Sequence, residues 1–184
     1  MSTFQGRLPG DLTQKQLIDR MIRVNQAGEY GAARIYEGQL SFLKNTQVAH
    51  DIEHMRNQEQ EHLDTFDQLI RQRQIRPTLL SPLWHIGGYV LGNLTARLGE
   101  KAAMACTVAV EEVIDQHYAE QIEILENYPE EVELCMTLKK FREDELQHRD
   151  ISLDAGAADA PGFRLMKTVI QGISKSAIWL STRI

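Results

Sequence analysis

Cysteine and proline are scarce in this 184-residue chain, which has two cysteines and five prolines. Cys106 and Cys135 are too few for a disulfide framework or a thiolate zinc site, which favours an intracellular protein. Basic residues are also outnumbered, with 20 Lys and Arg against 26 Asp and Glu, so a broad basic field for nucleic acid is absent. The first dozen residues lack the basic start and apolar run of a secretory signal. We therefore expect an intracellular protein with a flexible N-terminus over residues 1–12.

Strand patterns are absent as well, because no useful stretch alternates apolar and polar residues with a period of two. Apolar residues instead recur at helical spacing, and Thr13 with Gln16 matches a capping box at the start of a helix. The predicted helices cover about 14–44, 47–72, 94–126, 130–153 and 163–184. Short turns join the first helix to the second and the third to the fourth, with one long crossover between the pairs.

This connectivity is typical of ferritin-like bundles rather than of up-and-down bundles. We therefore predict an all-α protein: a ferritin-like four-helix bundle whose crossover contains an apolar helix, with an additional amphipathic helix at the C-terminus. The length suits a single domain over 1–184.

The predicted crossover at 73–96 is unusually apolar, because residues 79–96 contain no Asp, Glu, Lys or Arg. Its apolar residues include Leu79, Leu80, Leu83, Trp84, Ile86, Val90 and Leu91. Pro82 and several glycines dilute this run too much for a transmembrane helix, and cationic residues flank it on both sides. The pattern favours a segment that lies on a membrane surface. The alternative is a helix buried against the bundle. The segment at 163–184 repeats this mixture of apolar and cationic residues.

Six ionisable residues interrupt the apolar stripes of the four main helices: Glu29, Glu59, His62, Glu111, Glu145 and His148. In the second and fourth helices the pattern is Glu-x-x-His, so both members of a pair project to the same side. In each predicted hairpin the two glutamates are equidistant from the turn, which places them at one height in the bundle. Periodicity leaves some choice between Glu111 and its neighbour Glu112.

One Glu from each of two helices, with one Glu-x-x-His from each of the other two, matches the di-iron and di-manganese sites of ferritin-like bundles. Four buried carboxylates would repel one another, whereas two divalent cations would cancel their charge. Oxygen-rich sites with a little imidazole favour iron or manganese over zinc or copper. The alternative is an ion-paired core with basic side chains, for which the nearby candidates are Arg34, Lys139, Arg142 and Arg149.

Several segments closely resemble the demethoxyubiquinone hydroxylase family of ubiquinone biosynthesis. They are RVNQAGEYGA at 23–32, EQEH at 59–62, AVEE at 109–112 and ELQH at 145–148. The resemblance extends from about residue 15 to the end of the chain. It implies a di-iron monooxygenase that hydroxylates the ring of a polyprenylated demethoxyubiquinol, using dioxygen and reducing equivalents from NADH.

The resemblance also implies site residues and partners. It assigns the six residues above as ligands of two iron ions and thereby selects Glu111 over Glu112. It further implies that His117 and Tyr118 handle substrate or electrons, although periodicity points only Tyr118 inward. The implied setting is a peripheral membrane protein, on the cytoplasmic face of the inner membrane in a bacterium. The polyprenyl tail of the substrate would then lie along the apolar residues of the crossover listed above. Partner proteins of ubiquinone biosynthesis and a homo-oligomer are both left open.

Two other functions are alternatives from the sequence. The first is another ferritin-like di-metal oxidase, such as a peroxidase or a manganese catalase, although those soluble enzymes have no need of an apolar crossover flanked by cations. The second is a non-catalytic helical scaffold on a membrane surface, which would not require two metal ions per chain.

Overall fold

The computed structural model of this protein describes residues 10–184, so most of the predicted flexible segment 1–12 lies outside the described residues. The described residues form six α-helices and no strand, which confirms the all-α, ferritin-like class. The helices are α1 Gln14–Leu43, α2 Ala49–Arg73, α3 Ser81–Arg97, α4 Glu100–Leu125, α5 Val132–Asp154 and α6 Phe163–Ser181. Short 3-10 turns at Pro129–Glu131 and Ala157–Asp159 precede α5 and α6.

Helix α1 begins where the sequence predicts, because the capping box of Thr13 and Gln16 is formed. The Thr13 hydroxyl accepts from the Gln16 backbone N–H at 3.0 Å, and the Gln16 side chain accepts from the Thr13 N–H at 2.8 Å. Helix α1 packs against α2 and α4 against α5 to form two hairpins. These hairpins are the four-helix bundle, and α3 is the long crossover between them.

The prediction of one helix over 94–126 is wrong at its N-terminal end. Helix α3 continues to Arg97, and α4 begins only at Glu100. Between them Gly99 adopts a φ of +114°, a conformation that L side chains rarely reach. The apolar pattern continues through this break, so a prediction based on periodicity merges the end of the crossover helix with α4.

Glycines allow α3 to lie directly on α1. A Cβ at Gly92 would collide with the backbone oxygen of Ile35, and one at Gly88 would lie 2.7 Å from the backbone oxygen of Gly31. The glycines that weaken the crossover as a transmembrane helix therefore form its contact with the bundle. The opposite face of α3 stays exposed. The helix therefore packs on the bundle along one face and presents apolar side chains to the outside along the other.

Two helices display a row of exposed apolar side chains. The row on α3 contains Leu83, Ile86, Val90 and Leu94, and the row on α6 contains Leu165, Val169, Ile173 and Trp179. The two helices meet at one end, where the Trp84 indole N–H donates to the Ser181 hydroxyl at 3.1 Å. No helix among residues 10–184 has the length and apolarity needed to cross a bilayer.

The interior of the bundle contains two large apolar clusters, and a third, smaller cluster that contains Ile170 lies beside α6. One of the two large clusters surrounds Phe66, Tyr118 and Phe141, and the other surrounds Ile52 and Met104. The polar residues of the apolar stripes lie between these clusters along all four main helices. The fold therefore encloses a polar layer within an apolar core, where few water molecules can solvate a charge.

Candidate metal centre

The six ionisable residues selected from the sequence converge in this polar layer. Each of them is at most 2% exposed, and Glu59, Glu145 and His148 are completely buried. They form two overlapping groups whose potential ligand atoms lie within 4.8 Å of one another. The first group is Glu29, Glu59, His62 and Glu145, and the second is Glu59, Glu111, Glu145 and His148. Glu59 and Glu145 belong to both groups and so can bridge two ions.

The donor set of these residues fits two divalent cations. Eight of their buried side-chain atoms make no hydrogen bond, namely one oxygen each of Glu29 and Glu111, both oxygens of Glu59 and Glu145, and the Nδ1 atoms of His62 and His148. Burying so many polar atoms without partners is costly unless a cation binds them. Carboxylate oxygens with one imidazole nitrogen per group suit iron or manganese.

The two histidines point their Nδ1 atoms inward. The Nδ1 atom of His62 lies 3.3 Å from a Glu145 oxygen, and that of His148 lies 3.2 Å from a Glu59 oxygen. Their outward Nε2 atoms contact Asp144 at 3.0 Å and Gln58 at 3.1 Å, respectively. Each ring is therefore held from outside the cluster, with the potential ligand atom inside it.

Two tyrosines hold the glutamates that belong to only one group each. The Tyr36 hydroxyl on α1 donates to Glu111 on α4 at 2.5 Å, and the Tyr118 hydroxyl on α4 donates to Glu29 on α1. In both cases one carboxylate oxygen is used and the other faces the cluster without a partner. This reciprocal arrangement orients one oxygen of each glutamate toward a metal position.

Proximity and burial perturb the protonation of the cluster. Burial, and then the charge of Glu145, raise the pKa of Glu59 and of Glu111 well above the ordinary value. Burial lowers the pKa of His62, but contacts with Glu145 and Glu29 outweigh this effect and raise it to about 11. Burial likewise raises the pKa of Glu29, and the opposing effect of His62 brings the net pKa below the ordinary value. Without cations, the cluster therefore holds protons at neutral pH.

The basic side chains that the sequence offered as alternative partners do not enter the cluster. Each binds an acidic residue outside it, in the pairs Arg34–Glu37, Lys139–Glu126, Arg142–Asp115 and Arg149–Asp150. Glu112 also points away from the cluster, and its carboxylate accepts from Lys167 at 2.6 Å and from Gln171 at 2.8 Å. Only Glu111 of the two neighbouring glutamates lies inside.

His117 and Tyr118 occupy different places. Tyr118 is buried at the cluster, whereas His117 is half-buried and contacts the Gln121 amide at 2.7 Å, which in turn binds Asn25. Burial lowers the pKa of His117. His117 and Gln121 line a cavity of about 150 Å³ that also reaches Thr182 beyond the end of α6. The structure therefore brings Tyr118, and not His117, into contact with a candidate ligand.

The residues assigned from the sequence to a membrane or substrate tail are divided between two environments. Leu79, Leu83, Ile86 and Val90 are exposed. Leu80, Trp84 and Leu91 are half-buried. Trp84 binds Ser181, and Leu91 packs against the apolar cluster that contains Ile170.

Three residues at the site were missed by the sequence analysis: Gln58, Asp144 and Tyr36. Their signal is an internal repeat, because Gln58 and Asp144 each come directly before the glutamate of a Glu-x-x-His motif. Tyr36 likewise follows Glu29 at the spacing at which Tyr118 follows Glu111. Comparing the two halves of the chain would have found all three.

Comparison with known proteins decides the family. The sequence profile of the family described as "Ubiquinone biosynthesis protein COQ7" matches residues 16–181. The chain belongs to this family. Membership in the COQ7 family confirms the resemblance stated above and makes the chain an enzyme, a hydroxylase of ubiquinone biosynthesis.

Curated COQ7-family relatives are similar over nearly the whole chain. A "3-demethoxyubiquinol 3-hydroxylase" of Rhodospirillum rubrum is 50% identical over 183 residues, which cover 99% of this chain and 85% of the relative. A "NADPH-dependent 3-demethoxyubiquinone 3-hydroxylase, mitochondrial" of Homo sapiens is 48% identical, covering 95% of this chain and 81% of the relative. A "5-demethoxyubiquinone hydroxylase, mitochondrial" of Saccharomyces cerevisiae is 38% identical, covering 93% and 80%.

Proposed function

We propose that this chain is a di-iron monooxygenase that hydroxylates the ring of a polyprenylated demethoxyubiquinol. The observation that carries the proposal is the pair of overlapping buried groups, which together offer eight unpaired ligand atoms. The names of the relatives support this choice of substrate, since they specify demethoxyubiquinol or demethoxyubiquinone hydroxylation.

The six residues hold the two metal positions in distinct roles. Glu29 and His62 would hold one ion, Glu111 and His148 would hold the other, and Glu59 and Glu145 would be available to both. When bound, two iron ions would supply the activation of dioxygen that organic side chains cannot provide. The apolar clusters on both sides exclude water and so protect a reactive site from side reactions.

The proposed reaction consumes dioxygen, two electrons and two protons. One oxygen atom enters a ring C–H bond of the quinol and forms the new hydroxyl group, while the other oxygen leaves as water. The electrons come from a reduced nicotinamide nucleotide. The family resemblance implies NADH, whereas the names of several mitochondrial relatives specify NADPH. Tyr118 and Tyr36 keep their phenolic protons and donate hydrogen bonds to the glutamates they orient, because burial raises the pKa of both phenols well above the ordinary value.

We also propose that the protein binds a membrane surface through the apolar rows of α3 and α6. Both rows are exposed, and cationic residues flank them, including Arg97 at the end of α3 and Lys175 on α6. A polyprenyl tail is insoluble in water, so its enzyme must meet it at a lipid surface. Peripheral attachment would leave the tail in the bilayer while the ring enters the bundle.

A single turnover tests the proposed reaction. The chain is loaded anaerobically with two equivalents of Fe²⁺, mixed with a short-tail demethoxyubiquinol and exposed to ¹⁸O₂. We expect a hydroxylated quinol with one ¹⁸O atom in the ring, and no such product from Glu59→Gln protein. An unlabelled product, or rapid decomposition of hydrogen peroxide without hydroxylation, would contradict the proposal and favour the peroxidase or catalase alternative.

A further inference from the structure

Gln58 and Asp144 lie outside the six-residue cluster but join the outer sides of its two histidines. His62 Nε2 contacts Asp144 Oδ2 at 3.0 Å, and His148 Nε2 contacts Gln58 Oε1 at 3.1 Å. The Gln58 amide donates to the other Asp144 oxygen at 3.3 Å, which closes the connection. We propose that this Gln58–Asp144 pair is a positioning device that sets the tautomer of both histidines and makes the two metal positions unequal. The inference rests on the metal site proposed above.

The tautomers follow from the acceptor character of the pair. A carboxylate oxygen and an amide carbonyl oxygen only accept, so each histidine must donate from Nε2. When a metal ion takes the place of any proton on Nδ1, the ring is neutral and its lone pair is on Nδ1, the atom that faces the cluster. Asp144 also fixes the Gln58 amide, because turning that amide over would point its carbonyl at the carboxylate and its NH₂ at His148. One carboxylate therefore orients both rings.

The pair also distinguishes two positions whose ligand types are the same. Each group contains one histidine, two shared glutamates and one further glutamate held by a tyrosine. Outside these ligands, His62 donates to a charged carboxylate, whereas His148 donates to a neutral amide. Hydrogen bonds to charged acceptors are stronger and increase the basicity of the opposite ring nitrogen. The His62 position therefore has the stronger imidazole ligand.

Two isosteric substitutions separate this role from general structural support. Asp144→Asn alone leaves one oxygen and one NH₂ group to meet two N–H donors. If the oxygen faces His62, the NH₂ group meets the Gln58 NH₂ group, so that contact is lost or Gln58 turns over and forces the proton of His148 onto Nδ1. If the oxygen faces Gln58, the NH₂ group meets His62 and forces the proton of that ring onto Nδ1, where it blocks a metal. The double variant Gln58→Glu with Asp144→Asn restores a carboxylate next to an amide, but with the carboxylate now at His148.

The test uses the full chain loaded with Zn²⁺, a diamagnetic ion that binds histidine and carboxylate ligands. Nitrogen-15 NMR of labelled histidine reports the tautomers, and the shift of each Nε2 proton reports the strength of its hydrogen bond. The His62 signal is identified through the Phe141 ring, whose centroid lies 3.8 Å from that of His62. Zinc binding is titrated on the same samples.

In the wild-type chain we expect both rings to carry the proton on Nε2, with the His62 proton further downfield. Asp144→Asn should remove this difference and weaken zinc binding about 10- to 100-fold. The double variant should recover two zinc ions and place the His148 proton further downfield. Asp150→Asn, on the exposed side of α5 beside Arg149, should change neither property.

The inference is overturned if the His62 proton stays further downfield in the double variant, or if Asp144→Asn binds zinc as the wild type does. A double variant that fails to recover two zinc ions would equally overturn it. A wild-type chain that binds no pair of ions would instead refute the metal site itself, so the two failures are distinguishable.

Discussion

Replacing Glu59 with Gln should separate the stability of the metal-free protein from the stability added by metal. Glu59 is completely buried and shared by both ligand groups. Carboxylate oxygens within 4.8 Å of each other repel by about 3.5 kcal/mol or more at an effective dielectric constant of 20. This repulsion, together with burial, is why the pKa of Glu59 is well above its ordinary value. In the metal-free protein the raised pKa favours the neutral acid form of this side chain.

A neutral amide closely imitates that acid, so we expect Glu59→Gln to change the metal-free unfolding free energy by no more than about 1 kcal/mol. Metal binding is affected differently, because an amide cannot bridge two cations as a carboxylate does. With free metal at 100 times the dissociation constant, two sites add about 5 kcal/mol. For a chain of this size that corresponds to an increase in melting temperature of about 10 to 20 °C. Glu59→Gln should lose most of this increase.

The assay is thermal unfolding of the full chain under anaerobic conditions, with and without Fe²⁺. The control is Glu61→Gln, because Glu61 is on the same helix, two residues away, and exposed. Glu61→Gln should retain the whole metal-dependent increase. A Glu59→Gln protein that is stabilised by Fe²⁺ as strongly as the wild type would refute the assignment of Glu59 as a shared ligand.

Three further predictions concern protons, packing and lipid. Metal titration at pH 7 should release more than one proton per chain, because a raised pKa favours a proton on Glu111 and on His62, whose pKa is about 11. Since each released proton changes the affinity tenfold per pH unit, lowering the pH from 8 to 6 should weaken binding of the ion pair by about a hundredfold or more. Calorimetry in two buffers measures this, and zero release would contradict it. Gly92→Ala should destabilise the fold by about 2 kcal/mol or more through collision with α1, whereas Gly87→Ala, with open space around it, should be neutral or stabilising in denaturant unfolding. Ile86→Asp should weaken binding to anionic liposomes and spare metal content, and an equal loss from Met136→Asp, an exposed apolar residue of α5, would count against the membrane face.

Much of the fold follows from local pattern. The start of α1 was predictable because a capping box depends on residues three positions apart. The break between α3 and α4 was not, because Leu98 and its neighbours keep an apolar pattern while Gly99 takes a left-handed φ that only the packed chain reveals. The role of Trp84 also required the structure, since its partner Ser181 is nearly a hundred residues away.

The residues of the candidate site likewise fall into those that the sequence predicts and those that only the structure reveals. The six inward residues are visible in sequence because each is an ionisable residue on an apolar stripe, where burial would otherwise be costly. Gln58 and Asp144 escape that reasoning because they lie beside the stripes and are only partly buried. Their contact depends on the distance between α2 and α5, which no periodicity reports. The contact of Tyr36 escapes this reasoning too, because periodicity gives burial but not the carboxylate that its hydroxyl meets.

The most direct test of the central claim is anomalous X-ray diffraction from crystals of the full chain grown anaerobically with Fe²⁺. We predict two iron peaks about 3.5 to 4 Å apart in the polar layer, the usual spacing of two-metal sites. Both should contact Glu59 and Glu145, with one peak beside His62 and the other beside His148. Peaks confined to the surface, with these four side chains turned away from each other, would contradict the account.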